Sequence, residues 1–166
     1  MASDQLNILD IIYSSSVDGT GFRDVLFVCG CPHHCPECHN PQSWNAENGH
    51  WESVDELYKK LTKSNLTNVT FSGGEPFEQT RVLCKLAKRL KEEAGKTIWI
   101  YSGYRYEELK EDGEKKKLLS LCDVLVDGKY EKNNTELNMR FKGSLNQRII
   151  DIPSSLKENK VVLFLP

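Results

Sequence analysis

Four cysteines fall within ten residues of this chain, immediately after an apolar stretch that is typical of a buried strand. The stretch is residues 24–28, DVLFV, and the cysteines that follow it are Cys29, Cys31, Cys35 and Cys38. Thiolates are soft ligands that bind zinc or hold iron–sulfur clusters. The spacing of the last three, C-x3-C-x2-C, lets one short loop surround a single metal centre. We therefore expect a fold that places a metal-binding loop at the end of an internal strand.

The residues alone allow two interpretations of this metal centre. An iron–sulfur cluster held by three cysteines keeps one iron without a protein ligand, and such an iron can bind a substrate. A zinc site needs a fourth ligand, which Cys29, or one of His33, His34 and His39, could supply. Zinc ligands usually stand in two separated pairs, whereas here they crowd one loop. The iron–sulfur cluster is therefore favoured, and the zinc site stays open as an alternative.

Length, charge and hydrophobicity limit the class of protein. With 166 residues the chain is expected to form one domain, residues 1–166. The formal net charge of −2 gives no basic surface, so neither nucleic acid nor a membrane is expected as a partner. No signal peptide or apolar run of membrane length is visible, which predicts a cytoplasmic protein with reduced thiols. Cys84 and Cys122 are expected to be core residues.

Strand and helix patterns alternate along the chain, which predicts an α/β fold with a mostly parallel sheet. Strands are expected over residues 6–13, 24–28, 68–71, 97–101, 124–126, 148–152 and 161–165. Helices are expected after the capping residue Ser53, over residues 82–90 with an end near Gly95, and from Tyr106 to about Leu121 with a break near Gly113. In such folds ligands bind at the carboxyl ends of the parallel strands.

Three further turns with unusual residues follow expected strands: Ser72-Gly73-Gly74-Glu75-Pro76, Ser102-Gly103 and Asp127-Gly128-Lys129. A glycine pair lets a ligand approach the backbone closely because no Cβ intervenes. The carboxylate beside it can accept hydrogen bonds from an ammonium group. A Gly-Gly turn before a helix is more often only a turn, so its weight comes from its place one β–α unit after the cysteine loop. We expect the cysteine loop and these three turns to converge on one rim of the sheet.

The cysteine spacing together with Gly73-Gly74-Glu75 resembles the signature of the radical S-adenosylmethionine superfamily. Within that superfamily the chain resembles the activating proteins of anaerobic (class III) ribonucleoside-triphosphate reductase, over about residues 6–152. The stretches that carry this narrower resemblance are Asp18-Gly19 with Gly21 and Arg23, Leu26-Phe27-Val28 with Gly30-Cys31, Cys38-His39-Asn40-Pro41 with Trp44, Phe71 to Pro76, Ile98 to Tyr104, Val124 to Tyr130, and Arg140 with Gly143-Ser144 and Asn146-Gln147-Arg148.

The resemblance implies a fold, a cluster and a cofactor site. The fold is a partial, open (β/α) barrel of the radical S-adenosylmethionine type. Cys31, Cys35 and Cys38 would ligate three irons of a [4Fe–4S] cluster, and the methionyl group of S-adenosylmethionine would bind the fourth. The resemblance assigns the parts of the cofactor to this rim: the methionyl ammonium to Gly73, Gly74 and Glu75, the adenosyl end to Glu37, Cys38 and His39, and the ribose or the polar floor of the site to Ser102 and Asp127.

The same resemblance implies the reaction and the partners. A one-electron-reduced cluster would cleave the S–C5′ bond of the cofactor and give methionine and a 5′-deoxyadenosyl radical. The radical would then take a hydrogen atom from a glycine of the anaerobic ribonucleoside-triphosphate reductase, leaving a stored glycyl radical. The implied partners are therefore this reductase and an electron donor such as flavodoxin or a reductase.

Some assignments remain open at the level of the sequence. Arg23 either docks the partner or forms an ordinary ion pair. Arg140, Asn146 and Gln147 belong to a segment, residues 140–148, that is either part of the active-site rim or partner groove, or only a turn that enters a strand. Two alternatives remain for the whole protein: an activase of another glycyl-radical enzyme such as pyruvate formate-lyase, and a non-catalytic four-cysteine zinc or electron-transfer module.

Overall fold

The computed structural model describes residues 4–36, 38 and 41–165. Over these residues the chain forms a mixed α/β fold. Its strands are β1 (Gln5–Ser15), β2 (Arg23–Val28), β3 (His50–Ser53), β4 (Asn68–Gly73), β5 (Ile98–Tyr101), β6 (Val124–Asp127) and β7 (Arg148–Asp151). Its helices are α1 (Val54–Leu61), α2 (Thr80–Glu92), α3 (Tyr106–Glu111), α4 (Gly113–Ser120) and α5 (Ile152–Glu158).

The seven strands form one sheet in the order β3-β1-β2-β4-β5-β6-β7. The pairs β2–β4, β4–β5 and β5–β6 are parallel, whereas β3–β1, β1–β2 and β6–β7 are antiparallel. Only residues 16–22 separate β1 from β2, which is too short for the crossover that parallel pairing requires. The predicted α/β class is confirmed; the parallel arrangement holds for the four central strands but not for the edges.

Side-chain caps explain where two helices begin. The Ser53 hydroxyl accepts a hydrogen bond from Glu56 N–H at 3.1 Å, so α1 starts where the capping pattern predicts. The Asp112 carboxylate accepts hydrogen bonds from the N–H groups of Glu114 and Lys115 and caps α4. The helical stretch that begins at Tyr106 therefore breaks into two helices at Asp112, next to the predicted Gly113.

Side chains alternate between the two faces of the sheet, as strand geometry requires. One face packs against all five helices and forms the main core, in which Ile98, Ile100 and Leu125 are fully buried. Trp99 and its neighbours on the other face form a smaller cluster with Phe141, which lies in the segment between β6 and β7. Of the two remote cysteines, Cys122 is buried in the main core and Cys84 packs against it.

The structure corrects the predicted elements at three places. Residues 161–165, predicted as a strand, make only an isolated bridge from Leu163 to Ile150. The strand predicted over residues 148–152 ends at Asp151, whose side chain caps α5 by accepting from Ser154 N–H at 3.0 Å. The four-residue strand β3 was not predicted, because its neighbours in the sequence give no strand pattern.

None of the helices found in the described residues combines the length and the apolar composition that crossing a bilayer requires.

Candidate active site

The turns that follow the four parallel strands meet at one cavity. The loop that carries Cys31, Cys35 and Cys38, here the cysteine loop, follows β2. The turn that carries Gly73, Gly74 and Glu75, here the glycine turn, lies at the end of β4, and two further turns follow β5 and β6. Residues from all four turns line the cavity: Cys31, His33, Cys35, Cys38, Ser72, Gly73, Gly74, Tyr101, Ser102, Gly103, Val126, Gly128, Tyr130 and Gln147. Parallel strands in register end at the same edge of the sheet, so the strand order itself brings these turns together.

Backbone hydrogen bonds fix the beginning of the cysteine loop. The N–H of Gly30 donates to the carbonyl of Ser43 at 2.6 Å, and the N–H of Cys31 donates to the carbonyl of Trp44 at 3.4 Å. Gly30 has a φ of +106°, a conformation that favours glycine and turns the chain away from β2. The first cysteine of the C-x3-C-x2-C spacing is therefore held by the segment that follows the loop.

Three thiol-bearing residues of this loop, Cys31, Cys35 and Cys38, line the cavity together. This donor set fits an iron–sulfur cluster, because cysteine thiolates are the ligands that such clusters use. Burial raises the pKa of the Cys31 and Cys35 thiols, so their thiolates form at a cost that metal binding would offset. Within the described residues no three side chains of Cys, His, Asp or Glu converge closely enough to form a site for one metal ion.

The fourth cysteine of the group, Cys29, lies apart from the other three. It is only 3% exposed, and its thiol donates to the carbonyl of Asn45 at 3.2 Å. Burial raises the pKa of the Cys29 thiol. Its environment is that of a core cysteine directly after β2, and it is not among the residues that line the cavity.

The glycine turn and the cysteine loop touch through their backbones. Gly73 has a φ of +100°, and a Cβ on it would overlap the backbone of Val28. A Cβ on Gly74 would likewise overlap the carbonyl oxygen of Gly30. The N–H of Gly74 donates to the Val28 carbonyl at 2.8 Å, and the N–H of Glu75 donates to the Gly30 carbonyl at 2.9 Å. Two glycines are required here because the two turns approach each other so closely.

The carboxylate of Glu75 is fully buried and accepts hydrogen bonds from four residues. Oε1 accepts from the N–H of Gly103 at 2.8 Å and lies 2.7 Å from Nε2 of His33. Oε2 accepts from the N–H of Phe77 at 3.0 Å, and the hydroxyl of Ser102 contacts both oxygens at 3.0 and 2.9 Å. Glu75 therefore joins the turns after β2, β4 and β5, with its carboxylate enclosed by protein.

Ser102 and Asp127, the two residues assigned to the ribose or the floor of the site, lie at this edge but use their polar groups internally. The hydroxyl of Ser102 donates to Glu75 and accepts from the N–H of Tyr104 at 3.0 Å. Asp127 is 1% exposed, and its carboxylate binds the guanidinium of Arg148. Ser102 lines the cavity, whereas Asp127 is not among its lining residues.

The adenosyl end of the expected cofactor site is described only in part. Of the three residues assigned to it, Glu37 and His39 lie outside the described residues. Cys38 is described and lines the cavity.

Three of the cavity-lining residues that received no place in the cofactor site from the sequence carry rings: His33, Tyr101 and Tyr130. His33 was considered only as an alternative zinc ligand. Each of them stands beside an assigned motif, since His33 lies between Cys31 and Cys35 while the two tyrosines flank the turns after β5 and β6. Their proximity to these motifs in the sequence was the signal that could have placed them in the cavity wall.

Arg23 lies at the opposite end of β2 from the cysteine loop and is only 2% exposed. Its guanidinium donates to the carbonyls of Val69 and Thr97, both at 2.8 Å, and to the Thr70 hydroxyl at 2.9 Å. Desolvation by burial lowers the pKa of Arg23 to about 10. No carboxylate of the described residues lies within ion-pair distance of it. This corrects the expectation that Arg23 docks a partner or forms an ordinary ion pair, because its polar atoms are used within the sheet.

The segment between β6 and β7 forms part of the rim. Asn146 and Gln147 donate to backbone carbonyls of the turn after β6, at 2.8 and 2.9 Å, and Gln147 also lines the cavity. Arg140 is exposed and lines a second cavity, of about 300 Å³. Tyr101 lines both cavities, so the two adjoin at this residue.

Comparison with known proteins gives consistent matches over most of the chain. A family described as "4Fe-4S single cluster domain" matches residues 17–150. The chain is 38% identical over 142 residues to the anaerobic ribonucleoside-triphosphate reductase-activating protein of Enterobacteria phage T4, covering 80% of the chain and 86% of the relative. The proteins of the same name from Pasteurella multocida (strain Pm70) and Escherichia coli (strain K12) are 33% and 34% identical, covering 87% and 79% of the chain and 96% and 89% of the relatives.

Among solved structures, the crystal structure of QueE from Escherichia coli resembles this fold. The TM-score is 0.54, and the match covers 78% of this chain and 73% of QueE. The sequence identity is 15%, so the likeness concerns the fold alone.

Proposed function

The chain belongs to the anaerobic ribonucleoside-triphosphate reductase-activating proteins, and we propose that it generates the glycyl radical of such a reductase. When bound, a [4Fe–4S] cluster would supply the electron for reductive cleavage of S-adenosylmethionine, and this chemistry would provide for hydrogen abstraction from a glycine of the reductase. The protein is thus a radical S-adenosylmethionine oxidoreductase. The residues of this chain bind and orient these groups and exclude water from them.

One observation carries the assignment of the site. The three cysteines of the C-x3-C-x2-C spacing and the glycine pair of the Gly-Gly-Glu turn line the same cavity, although about 40 residues separate them in the sequence. A cluster-binding loop and a backbone cradle without side chains are the two features that a cluster-bound cofactor requires.

We assign each part of the cavity to one task. Cys31, Cys35 and Cys38 would hold the cluster, and the backbone around Gly73 and Gly74 would receive the methionyl end of the cofactor. Glu37, Cys38 and His39 would line the adenosyl end, as the resemblance implies. Ser102, Asp127 and Glu75 would support this surface through the hydrogen bonds described above.

The fold supports the same proposal. We propose that the sheet is the partial, open (β/α) barrel of the radical S-adenosylmethionine type, with its helices on one face only. The likeness of the fold to QueE favours this architecture. We also propose that residues 1–166 form one domain, because all seven strands of the described residues share one sheet and all five helices share one core.

The second cavity offers a place for the reductase. It adjoins the cofactor cavity at Tyr101, and the hydroxyl of Tyr101 donates to the carbonyl of Phe141 at 2.5 Å. Arg140, exposed at the margin, would contact the protein partner, whereas Asn146 and Gln147 would hold the rim in shape. A glycine bound in this cavity would lie close to the cofactor, because the two cavities share Tyr101.

The remaining partners follow from the chemistry. The cluster needs a one-electron donor, for which a flavodoxin or a reductase is suitable. Three thiol ligands must stay reduced, so we propose a cytoplasmic location.

Analysis of iron and acid-labile sulfide in anaerobically purified protein tests this function against its alternatives. We expect about one [4Fe–4S] cluster per chain, and cleavage of S-adenosylmethionine when a strong reductant is added. Stoichiometric zinc without sulfide would reject the proposal in favour of a zinc module. A cluster that leaves the cofactor intact would favour an electron-transfer module.

A further inference from the structure

We propose that His33 is a positioning residue, whose hydrogen bond to Glu75 sets the cysteine loop at the right distance from the glycine turn for the sulfonium cofactor to bind. This inference rests on the proposed function, since it concerns the same cavity. It assigns a role to His33, a residue that belongs neither to the three spaced cysteines nor to the Gly-Gly-Glu turn.

The contact between the two side chains is short and shielded from water. Nε2 of His33 lies 2.7 Å from Oε1 of Glu75, and the two side chains are 7% and 0% exposed. The carboxylate oxygen also receives the N–H of Gly103, so it acts as an acceptor and the ring nitrogen donates. A hydrogen bond to a buried carboxylate is among the stronger ones in proteins.

The ring of His33 fits closely between residues of the turn after β5. A Cβ on Gly103 would overlap the imidazole, so the absence of a side chain there makes room for the ring. The edge of the ring meets Tyr104, with the ring centroids 4.6 Å apart and the planes at 77°. His33 is therefore held by packing as well as by its hydrogen bond.

The position of His33 in the chain gives this contact its effect. The backbone links between the two turns involve Val28 and Gly30, which both precede the first cluster cysteine. His33 lies between Cys31 and Cys35 and so ties the ligand-bearing part of the loop to Glu75. Without its hydrogen bond the strand ends stay joined, but the segment between these cysteines loses the side-chain hydrogen bond that ties it to Glu75.

Two substitutions of His33 by amide residues distinguish the effect of the hydrogen bond from the effect of losing the ring, because the two amide side chains differ in length. In His33→Gln the amide nitrogen occupies about the position of Nε2 and still reaches Glu75. In His33→Asn the amide is one methylene shorter and does not reach it. Because all three cysteines remain, we expect both variants to contain the iron and sulfide of the unaltered protein. We expect the dissociation constant for S-adenosylmethionine to rise about tenfold or more in His33→Asn and much less in His33→Gln.

The neighbouring histidine provides a matched control. His34 is exposed, stacks on Trp44 with the ring centroids 4.7 Å apart, and has a φ of +47° that asparagine tolerates. We expect His34→Asn to bind the cofactor like the unaltered protein.

The experiment is anaerobic calorimetry of S-adenosylmethionine with cluster-loaded protein, together with the change that the cofactor causes in the electron paramagnetic resonance spectrum of the reduced cluster. Weak binding and a diminished spectral change in His33→Asn, restored in His33→Gln, support the inference. Equal affinity of the two variants, or loss of the cluster in both, overturns it. If the unaltered protein contains its cluster but binds no cofactor, the proposed function itself fails.

Discussion

The guanidinium of Arg148 closes on the buried carboxylate of Asp127, with Nη2 2.5 Å from Oδ2 and Nε 3.1 Å from Oδ1. Oδ2 also accepts the N–H of Tyr106, the first residue of α3. The pair therefore joins the end of β6, the start of β7 and the start of α3 directly beneath the turn that borders the cofactor cavity.

Replacing Asp127 by Asn tests whether this residue supports the site or contacts the cofactor. We expect a loss of about 2–3 kcal/mol in the free energy of unfolding, measured by urea denaturation at pH 7, because Arg148 loses its charge-assisted hydrogen bonds to the buried carboxylate and, among the described residues, keeps only exposed Glu107 as a charged partner. The affinity of the folded variant for S-adenosylmethionine should change little. Unchanged stability together with lost affinity would instead indicate a direct contact between Asp127 and the cofactor.

Arg148 also controls the ionisation of Glu107 on α3. Its side-chain hydrogen bonds lower the pKa of Glu107 from its usual value of 4.5 to about 2. Since the folded pKa is depressed, the contribution to stability is complete above about pH 4.5 and is lost as the pH falls toward 2. Glu107 is 59% exposed on its side chain, so solvent screening limits the contribution to less than about 1 kcal/mol.

The prediction for Glu107→Gln is therefore a difference in stability that depends on pH. The variant should be less stable than the unaltered protein at pH 6, and the two should converge as the pH is lowered from 4.5 toward 2. Urea denaturation at a series of pH values measures this. A difference that grows on acidification would contradict the assignment.

Alanine replacement of each clustered cysteine separates cluster ligands from core residues. We expect Cys31→Ala, Cys35→Ala and Cys38→Ala to lose the iron and sulfide of the anaerobically purified protein, because each removes one of the three ligands. Cys29→Ala should keep them, since its thiol lies apart and donates to the Asn45 carbonyl. If Cys29→Ala loses the cluster and Cys31→Ala retains it, the ligand assignment is wrong.

Gly74→Ala tests the close approach of the two turns. The added Cβ would overlap the Gly30 carbonyl oxygen, so the glycine turn must move away from the cysteine loop, at a cost of about 1–3 kcal/mol. We expect the cluster to assemble but the affinity for S-adenosylmethionine to fall at least about tenfold. Gly113→Ala is the control, because no atom outside its chain neighbours and its own helix lies within 4 Å of its added Cβ. Equal cofactor affinity of the two variants would remove Gly74 from the site.

Apolar runs predict the four central strands well, because buried parallel strands are continuous hydrophobic segments. β2 and β6 lie within one residue of their predicted bounds at each end. α5 escapes prediction because the apolar residues before it extend the strand pattern through Ile152, which hides the capping signal of Asp151 and the following proline. Residues 161–165 have a strand-like composition but meet the sheet only at Leu163.

The candidate site, like the fold, could be predicted from the sequence only in part. Its location can be predicted, since each unusual turn follows a parallel strand and such strands end at one edge. The role of an individual carboxylate cannot be predicted from the sequence, because it depends on hydrogen-bond partners that are distant in the sequence. Ser102 and Gly103 are 27 and 28 residues from Glu75, and Arg148 is 21 residues from Asp127. These contacts arise only when the strands are aligned.

The most direct test is the electron paramagnetic resonance spectrum of an anaerobic ribonucleoside-triphosphate reductase incubated with this protein, a reductant and S-adenosylmethionine under strict exclusion of oxygen. We predict a doublet, split by the remaining α-hydrogen of a glycine, that is absent when Cys31→Ala replaces the unaltered protein. A reductase that stays without a radical while the cofactor is cleaved, or a doublet that forms equally with Cys31→Ala, would contradict the account.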